Sequence, residues 1–284
     1  YKILYNGILS EFKPGNNLNG YINFSGKKST IPKNRFNIIG FLDEFNLNSW
    51  KDFRSDPDSI DYLSFLNSVD ISFGTFKNND IILDNFIING YRSNNNFIFK
   101  KLEASSDFVT ILSSGTVEFG TNSNFKINLN SNNVEELLNY WKIKHSLRDS
   151  SINGTSEITW KGGIFDFSIK DLYGKFTINM KDGRLKKVGN RATRIFGLFN
   201  IDLLVKRLSL DFDDVTKNGF FFNSMNGDFR LNKGNIFTTN LIVKGPSAEL
   251  LTVGRTDIIN ETYDMQVVAS PEFGEALPAI ALLG

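Results

Sequence analysis

Lys175-Phe176-Thr177-Ile178-Asn179-Met180-Lys181 alternates polar and apolar residues without a break, and this period of two decides the fold. Successive side chains of a strand point to opposite faces, so Phe176, Ile178 and Met180 share one face and the lysines, Thr177 and Asn179 the other. A strand so divided belongs to a sheet that is apolar on one side and wet on the other, the habit of antiparallel sheets. Just upstream, Phe165-Asp166-Phe167-Ser168-Ile169-Lys170 has the same pattern and is read the same way, with Phe165, Phe167 and Ile169 on the apolar face.

The pattern extends in both directions. Downstream, strands are expected over 208–212, 219–222, 227–231, 236–243, 248–253 and 263–269, with Leu208, Leu210, Phe212, Phe220, Phe222, Leu241 and Val243 facing inward. Upstream they are expected over 2–4, 21–24, 35–39, 69–73, 81–89, 96–100, 108–112, 116–119, 125–129 and 154–160, with Phe125, Ile127 and Leu129 on the apolar face. A spacing near ten residues is the rhythm of an all-β sheet rather than of βαβ units.

Helical spacing interrupts this rhythm in three places. Residues 45–52 and 57–66 place Leu47, Trp50 and Phe53, then Ile60, Leu63 and Leu66, at three-residue intervals. Over 133–142, Asn133 is a cap and Val134, Leu137, Leu138 and Trp141 share a face. The longest passage, 182–214, carries one stripe through Ile195, Phe196 and Phe199 and a second, out of phase, through Ile201, Leu204, Val205 and Leu208, which reads as two short helices. The resulting division is a β segment over 1–132 with a helical insertion near 45–67, a helical interruption over 133–149, and a β segment over 150–284 with a two-helix insertion near 190–208.

Composition excludes several functions. With 32 basic and 31 acidic residues in 284, a net charge of +1 leaves no field to attract nucleic acid. There is no cysteine, hence no disulfide and no thiolate. A single histidine, His145, read as a solvated helix end, cannot furnish a histidine metal site, and no metal or cofactor is expected. Asp211 and Asp213 share a strand face without a calcium loop or a partner glutamate, and are read as solvent-facing. Glycines 183–189 and 245 fall at expected turns, outside the strand–loop–helix setting that a nucleotide needs. No window approaches the ~20 apolar residues of a spanning helix. Tyr1 and the apolar run at 276–283 suggest a piece of a longer polypeptide.

Periodicity cannot distinguish a neighbouring side chain from a bound acyl chain. The apolar faces therefore have two readings, a closed sandwich core or the lining of a groove. Ile195, Phe196, Phe199, Leu203, Leu204, Leu277 and Ile280 are the candidates for a helical cap or a membrane contact.

Trp160-Lys161-Gly162-Gly163, Asp182-Gly183, Gly197-Leu198-Phe199-Asn200-Ile201, Arg207-Leu208-Ser209-Leu210-Asp211-Phe212-Asp213-Asp214, Gly219-Phe220, Gly227, Gly245-Pro246-Ser247-Ala248 and Gly254 follow an order that resembles the C-terminal region of YhdP-type AsmA-like proteins. Leu47-Asn48-Ser49-Trp50 is similar to a turn of that family. The resemblance implies a mostly β fold, a long, antiparallel, strongly curved sheet forming a U-shaped groove with short helical insertions; a closed β-sandwich is the alternative. It also implies a monomeric, non-enzymatic periplasmic conduit whose partners are phospholipid acyl chains and, through the longer chain, the inner and outer membranes, with other envelope proteins as further contacts. The site implied is the alternating apolar face, with no catalytic residue. The alternative function is an assembly factor for outer-membrane proteins that acts through exposed sheet edges.

Overall fold

The computed structural model describes residues 2–5, 8–11, 36–48, 63, 66–143, 145–185, 219–246, 248–260 and 262–271. Expectations for 21–24, most of 45–67, the two-helix insertion, the strand over 208–212 and the residues Leu277 and Ile280 lie outside them.

Fifteen strands and one α-helix are described: β1 (Lys2–Tyr5), β2 (Ile8–Glu11), β3 (Phe36–Asn46), β4 (Leu66–Asn78), β5 (Ile81–Ser93), β6 (Asn96–Ser105), β7 (Val109–Glu118), β8 (Asn122–Ser131), α1 (Val134–Tyr140), β9 (Leu147–Arg148), β10 (Ser151–Lys161), β11 (Tyr173–Leu185), β12 (Phe220–Asn232), β13 (Asn235–Lys244), β14 (Ala248–Asp257) and β15 (Thr262–Pro271). β1 and β2 form a small hairpin, and the other thirteen strands form one sheet. Its order follows the chain from β15 back to β3, with β9 extending β10 alongside β11. All its pairings are antiparallel except β3 with β4, which run parallel, so the sheet is mixed. Among the described residues it is one open layer with β3 and β15 at its edges, which removes the closed-sandwich alternative.

Turn chemistry fixes the register. Lys233 and Gly234, at φ 49° and 78°, make the two-residue loop between β12 and β13, where a positive φ at both positions matches the twist of the strands. At the β14–β15 turn, the Asp257 carboxylate accepts from the backbone N–H groups of Ile259 and Asn260, each at 2.9 Å. These bonds, together with the Asn260 side chain, hold the Asp257 carboxyl below its usual range.

Breaks in the alternation curve the sheet. Phe73 and Phe76 should face opposite ways, yet their rings meet at 5.6 Å, because β4 and β5 change phase together at Gly74 and Asn85, the latter at φ 44°. β11 and β12 repeat the device at Asp182, φ 46°, so Phe222 and Met225 are both buried although three residues apart. Register shifts also fall between Phe99 and Leu102, Asn226 and Phe229, and Thr238 and Leu241. Such irregularities bend and twist a sheet locally. The Asp228 carboxylate, 2.7 Å from both the Thr177 hydroxyl and the Asn240 amide, pins one of them and titrates below its usual range because of those bonds.

Several sequence expectations are corrected. The strands expected over 108–112 and 116–119 are one strand, β7, and those over 219–222 and 227–231 are one strand, β12. Gly115 and Gly227 sit inside these strands, where neighbours use the missing Cβ: at Gly115 it would lie 2.4 Å from the Phe125 ring, and at Gly227 3.1 Å from Leu241. Gly183 lies within β11, not at a turn. Phe45 and Asn46 belong to β3 rather than to a helix.

The stretch 165–169 is not a strand. Ile164–Asp166 and Ile169–Asp171 are single 3-10 turns, so Phe165, Phe167 and Ile169 do not share a strand face. The Asp166 carboxylate accepts from Gly163 N–H at 2.7 Å, the Trp160 indole donates to Gly163 O at 2.8 Å, and the Ser168 hydroxyl accepts from Lys170 N–H. These local bonds win over the alternation.

Candidate functional site: an inward apolar face

Pairing register shows which side chains share the inward face. One row runs Ser113, Ile127, Ser156, Phe176, Phe229, Thr238; the next Ile111, Leu129, Gly154, Ile178, Gly227; a third Val109, Ser131, Ile152, Met180, Met225, Val243, Leu250, Ala269. The face is therefore apolar or small from β7 to β15. In one layer, side chains become solvent-free only where the sheet wraps over them or another segment covers them; Met225, Leu241 and Val243 reach 0 % exposure.

The opposite face is polar across β8, β10 and β11, and carries an apolar row of Ile242, Leu251 and Val268 at the β13–β15 end. Lys126, Glu157 and Lys175 form a ladder across β8, β10 and β11 with contacts of 3.2 and 3.0 Å. Both lysines hold the Glu157 carboxyl below its usual range, Lys175 most strongly. In water such a ladder adds little stability, but it keeps the outer face soluble.

Two packed clusters occupy the inward face. The first joins Met180, Leu185, Phe220, Phe222, Met225, Phe229, Leu241, Val243 and Leu250 with Val134 and Leu138 of α1. The second joins Phe97, Phe99, Val117, Phe125 and Trp160 with Leu63, Leu66, Val69 and Leu172, its rings stacked Phe125 on Trp160 at 5.2 Å.

Among the residues expected to line a groove, Phe125, Met180, Phe220, Phe222, Leu241 and Val243 are thus buried against other side chains. Ile127, Leu129, Phe176 and Ile178 are half-buried on the same face. Phe167 and Ile169 are 50 % and 44 % exposed, and Phe167 packs edge-on against Trp160 at 5.2 Å. Leu208, Leu210, Phe212, Ile195, Phe196, Phe199, Leu203, Leu204, Leu277 and Ile280 lie outside the described residues. Sequence reading missed Gly154, Ser113 and Ser156, because small residues carry no hydrophobic signal, and Ile111, which only the register puts on this face.

α1 follows its expected design, since Asn133 accepts from Glu136 N–H at 3.1 Å and Val134, Leu137 and Leu138 are buried. Beyond its own neighbours it reaches the β4–β5 hairpin. The Tyr140 hydroxyl donates to Asp84 at 2.9 Å, the Trp141 indole donates to Ile82 O at 2.8 Å, and Lys142 pairs with Asp80 at 2.9 Å. Burial and the Asp84 carboxylate push the Tyr140 hydroxyl up to about 12. His145 is not solvated: its Nδ1 lies 2.9 Å from Leu147 O and its Nε2 3.0 Å from the Asn139 side chain. Burial, the largest cause, lowers its pKa below the ordinary histidine value.

Among the described residues no group of three or more histidines, cysteines or carboxylates is placed to hold a metal, and no helix is long and apolar enough to cross a membrane. Fold and face together define a class: an open, single-layered, curved β-sheet protein with an apolar inner side and an outer side that is charged across β8, β10 and β11. Residues 15–284 match the model of the YhdP protein family, and the chain belongs to that family. It is similar to the intermembrane phospholipid transporter YhdP of Escherichia coli (strain K12), 21% identical over 160 residues, which cover 56% of this chain and 13% of the relative. The chain thus corresponds to a small part of that protein's length. No solved structure matches.

Proposed function

We propose that this chain is a segment of a non-enzymatic phospholipid conduit in the periplasm, in which the inward apolar face shields acyl chains on their way between the inner and outer membranes. The observation that carries the reading is the register, which keeps apolar or small residues on one face from β7 to β15 while lysines, asparagines and carboxylates dominate the other across β8, β10 and β11. The similarity to a protein named a phospholipid transporter supports the choice of ligand. Each shielded methylene contributes ~0.8 kcal/mol, and non-directional contacts let a chain slide without breaking a fixed set of bonds.

A charge on the floor tests this. In the full-length chain, Ile178→Asp should abolish its support of phospholipid supply to the outer membrane, whereas Asn179→Asp on the outer face should leave it intact. Equal activity of both variants overturns the conduit. The assembly reading is favoured by one observation, that among the described residues β15 pairs only with β14 and bears exposed Tyr263, Val267 and Val268. Protein adducts confined to photocrosslinkers on β15, with no lipid adduct on the inward face, would decide for it.

A further inference from the structure

We infer that Gly154 sets the width of the groove in this segment, holding open the place where one acyl chain of a glycerophospholipid lies. The inference rests on the conduit reading and adds where in this chain the lipid passes.

Ile111, Ser113, Ile127, Leu129, Gly154 and Ser156 share the inward face of β7, β8 and β10, yet belong to neither packed cluster. Gly154 is at the centre of this seam, between Leu129 and Ile178. Its backbone does not require glycine, because its φ is not in the left-handed region. Packing does not require it either. A Cβ at Gly90, Gly115 or Gly183 would strike an aromatic ring within 2.8 Å, whereas a Cβ at Gly154 would meet only two backbone oxygens, Thr177 O at 3.8 Å and Leu129 O at 3.9 Å. A glycine in mid-strand weakens a sheet, so a glycine with open space in front of it leaves room that no side chain of the described residues fills. Apolar side chains border that room on both neighbouring strands, and the cross-strand serines are uncharged. An acyl chain matches this lining; a charged headgroup does not.

The test uses the full-length chain in cells, with p-benzoylphenylalanine in place of Ile127, Val243 or Asn128 and phospholipid adducts as the readout. Wild-type Gly154 should give adducts at Ile127 well above those at Val243, which is packed inside a cluster, and at Asn128 on the outer face. Gly154→Phe should cut the Ile127 adduct about tenfold, the loss expected when about two methylenes are displaced from apolar contact. Asn153→Phe, on the outer face, should not. The series Gly154→Ala, Val, Leu should lower the adduct in order of side-chain volume without lowering the melting temperature, a pattern that a merely structural role would not give and that keeps the test valid if Gly154→Phe fails to fold. An undiminished Ile127 adduct across the series overturns the width assignment and leaves the conduit standing. Absence of lipid adducts at Ile127 and also at Phe176 and Ile178 overturns both.

Discussion

The cluster on β11–β14 and the seam on β7–β10 are built from the same alternating pattern and end in opposite states. In the cluster, Phe222, Met225, Leu241 and Val243 are at most 2 % exposed, packed together with Val134 and Leu138 of α1 and Leu147 of β9 where the strands change phase at Asp182 and shift register after Asn226 and Thr238. In the seam, Ile127 and Leu129 remain half-buried, and among the described residues no side chain comes near the missing Cβ of Gly154. Alternation supplies an apolar face, but local curvature and the size of the opposing residues decide whether that face becomes core or lining.

The contrast can be broken most severely from the cluster side. Phe222→Ala removes a ring 2 % exposed and should lower stability by about 3–5 kcal/mol in chemical denaturation, while Ile127→Ala in the seam should cost clearly less. Equal losses would mean that the seam is core as well.

α1 ties the cluster to the β4–β5 hairpin, since Val134 and Leu138 pack on the cluster while Tyr140 and Trp141 hold the hairpin. Tyr140→Phe removes a hydrogen bond to a carboxylate and should cost roughly 1–2 kcal/mol. Hydrogen exchange should place the loss at residues 81–86, and protection unchanged there would show that the helix does not hold the hairpin.

A pH scan sharpens the same junction. The fold binds less proton at His145 than the unfolded chain does, so this stabilisation is complete above the ordinary value of 6.5 and is lost as pH falls from there through the lowered folded value. With one histidine in the chain, the melting temperature should fall between pH 7 and 5 more in the wild type than in His145→Gln. Parallel curves would assign the fall to other groups.

The smallest effect belongs to the seam. Gly154→Ala should raise stability by about 0.5–1 kcal/mol, because the new methyl meets only van der Waals contacts and the unfolded chain loses freedom. A destabilised Gly154→Ala would show that the space is not open.

Most strands were legible because an inward side chain every second residue is a local property, and hairpins such as Lys233-Gly234 take their register from the turn itself. The Asn133 cap was legible for the same reason, since it is satisfied within three residues. Residues 164–171 were not. Their alternation is as clean as that of 175–181, but Trp160, Asp166 and Ser168 bind the local backbone and turn it out of the sheet. Nor was the continuity of β7 and β12 through Gly115 and Gly227, where a neighbouring strand brings Phe125 or Leu241 into the vacant space.

The amino-acid sequence by itself determined a β-sheet with one apolar and one wet face, the helix at 134–140, and the absence of cysteine and of histidine clusters. Tertiary structure alone decided that the described layer stays open, that Phe222 and Val243 become core, and that Ile127, Leu129 and Gly154 lie half-buried outside both packed clusters. The reason is physical: alternation is written in consecutive residues, whereas burial depends on how paired strands shift phase and on whether a partner distant in sequence fills the space in front of each side chain.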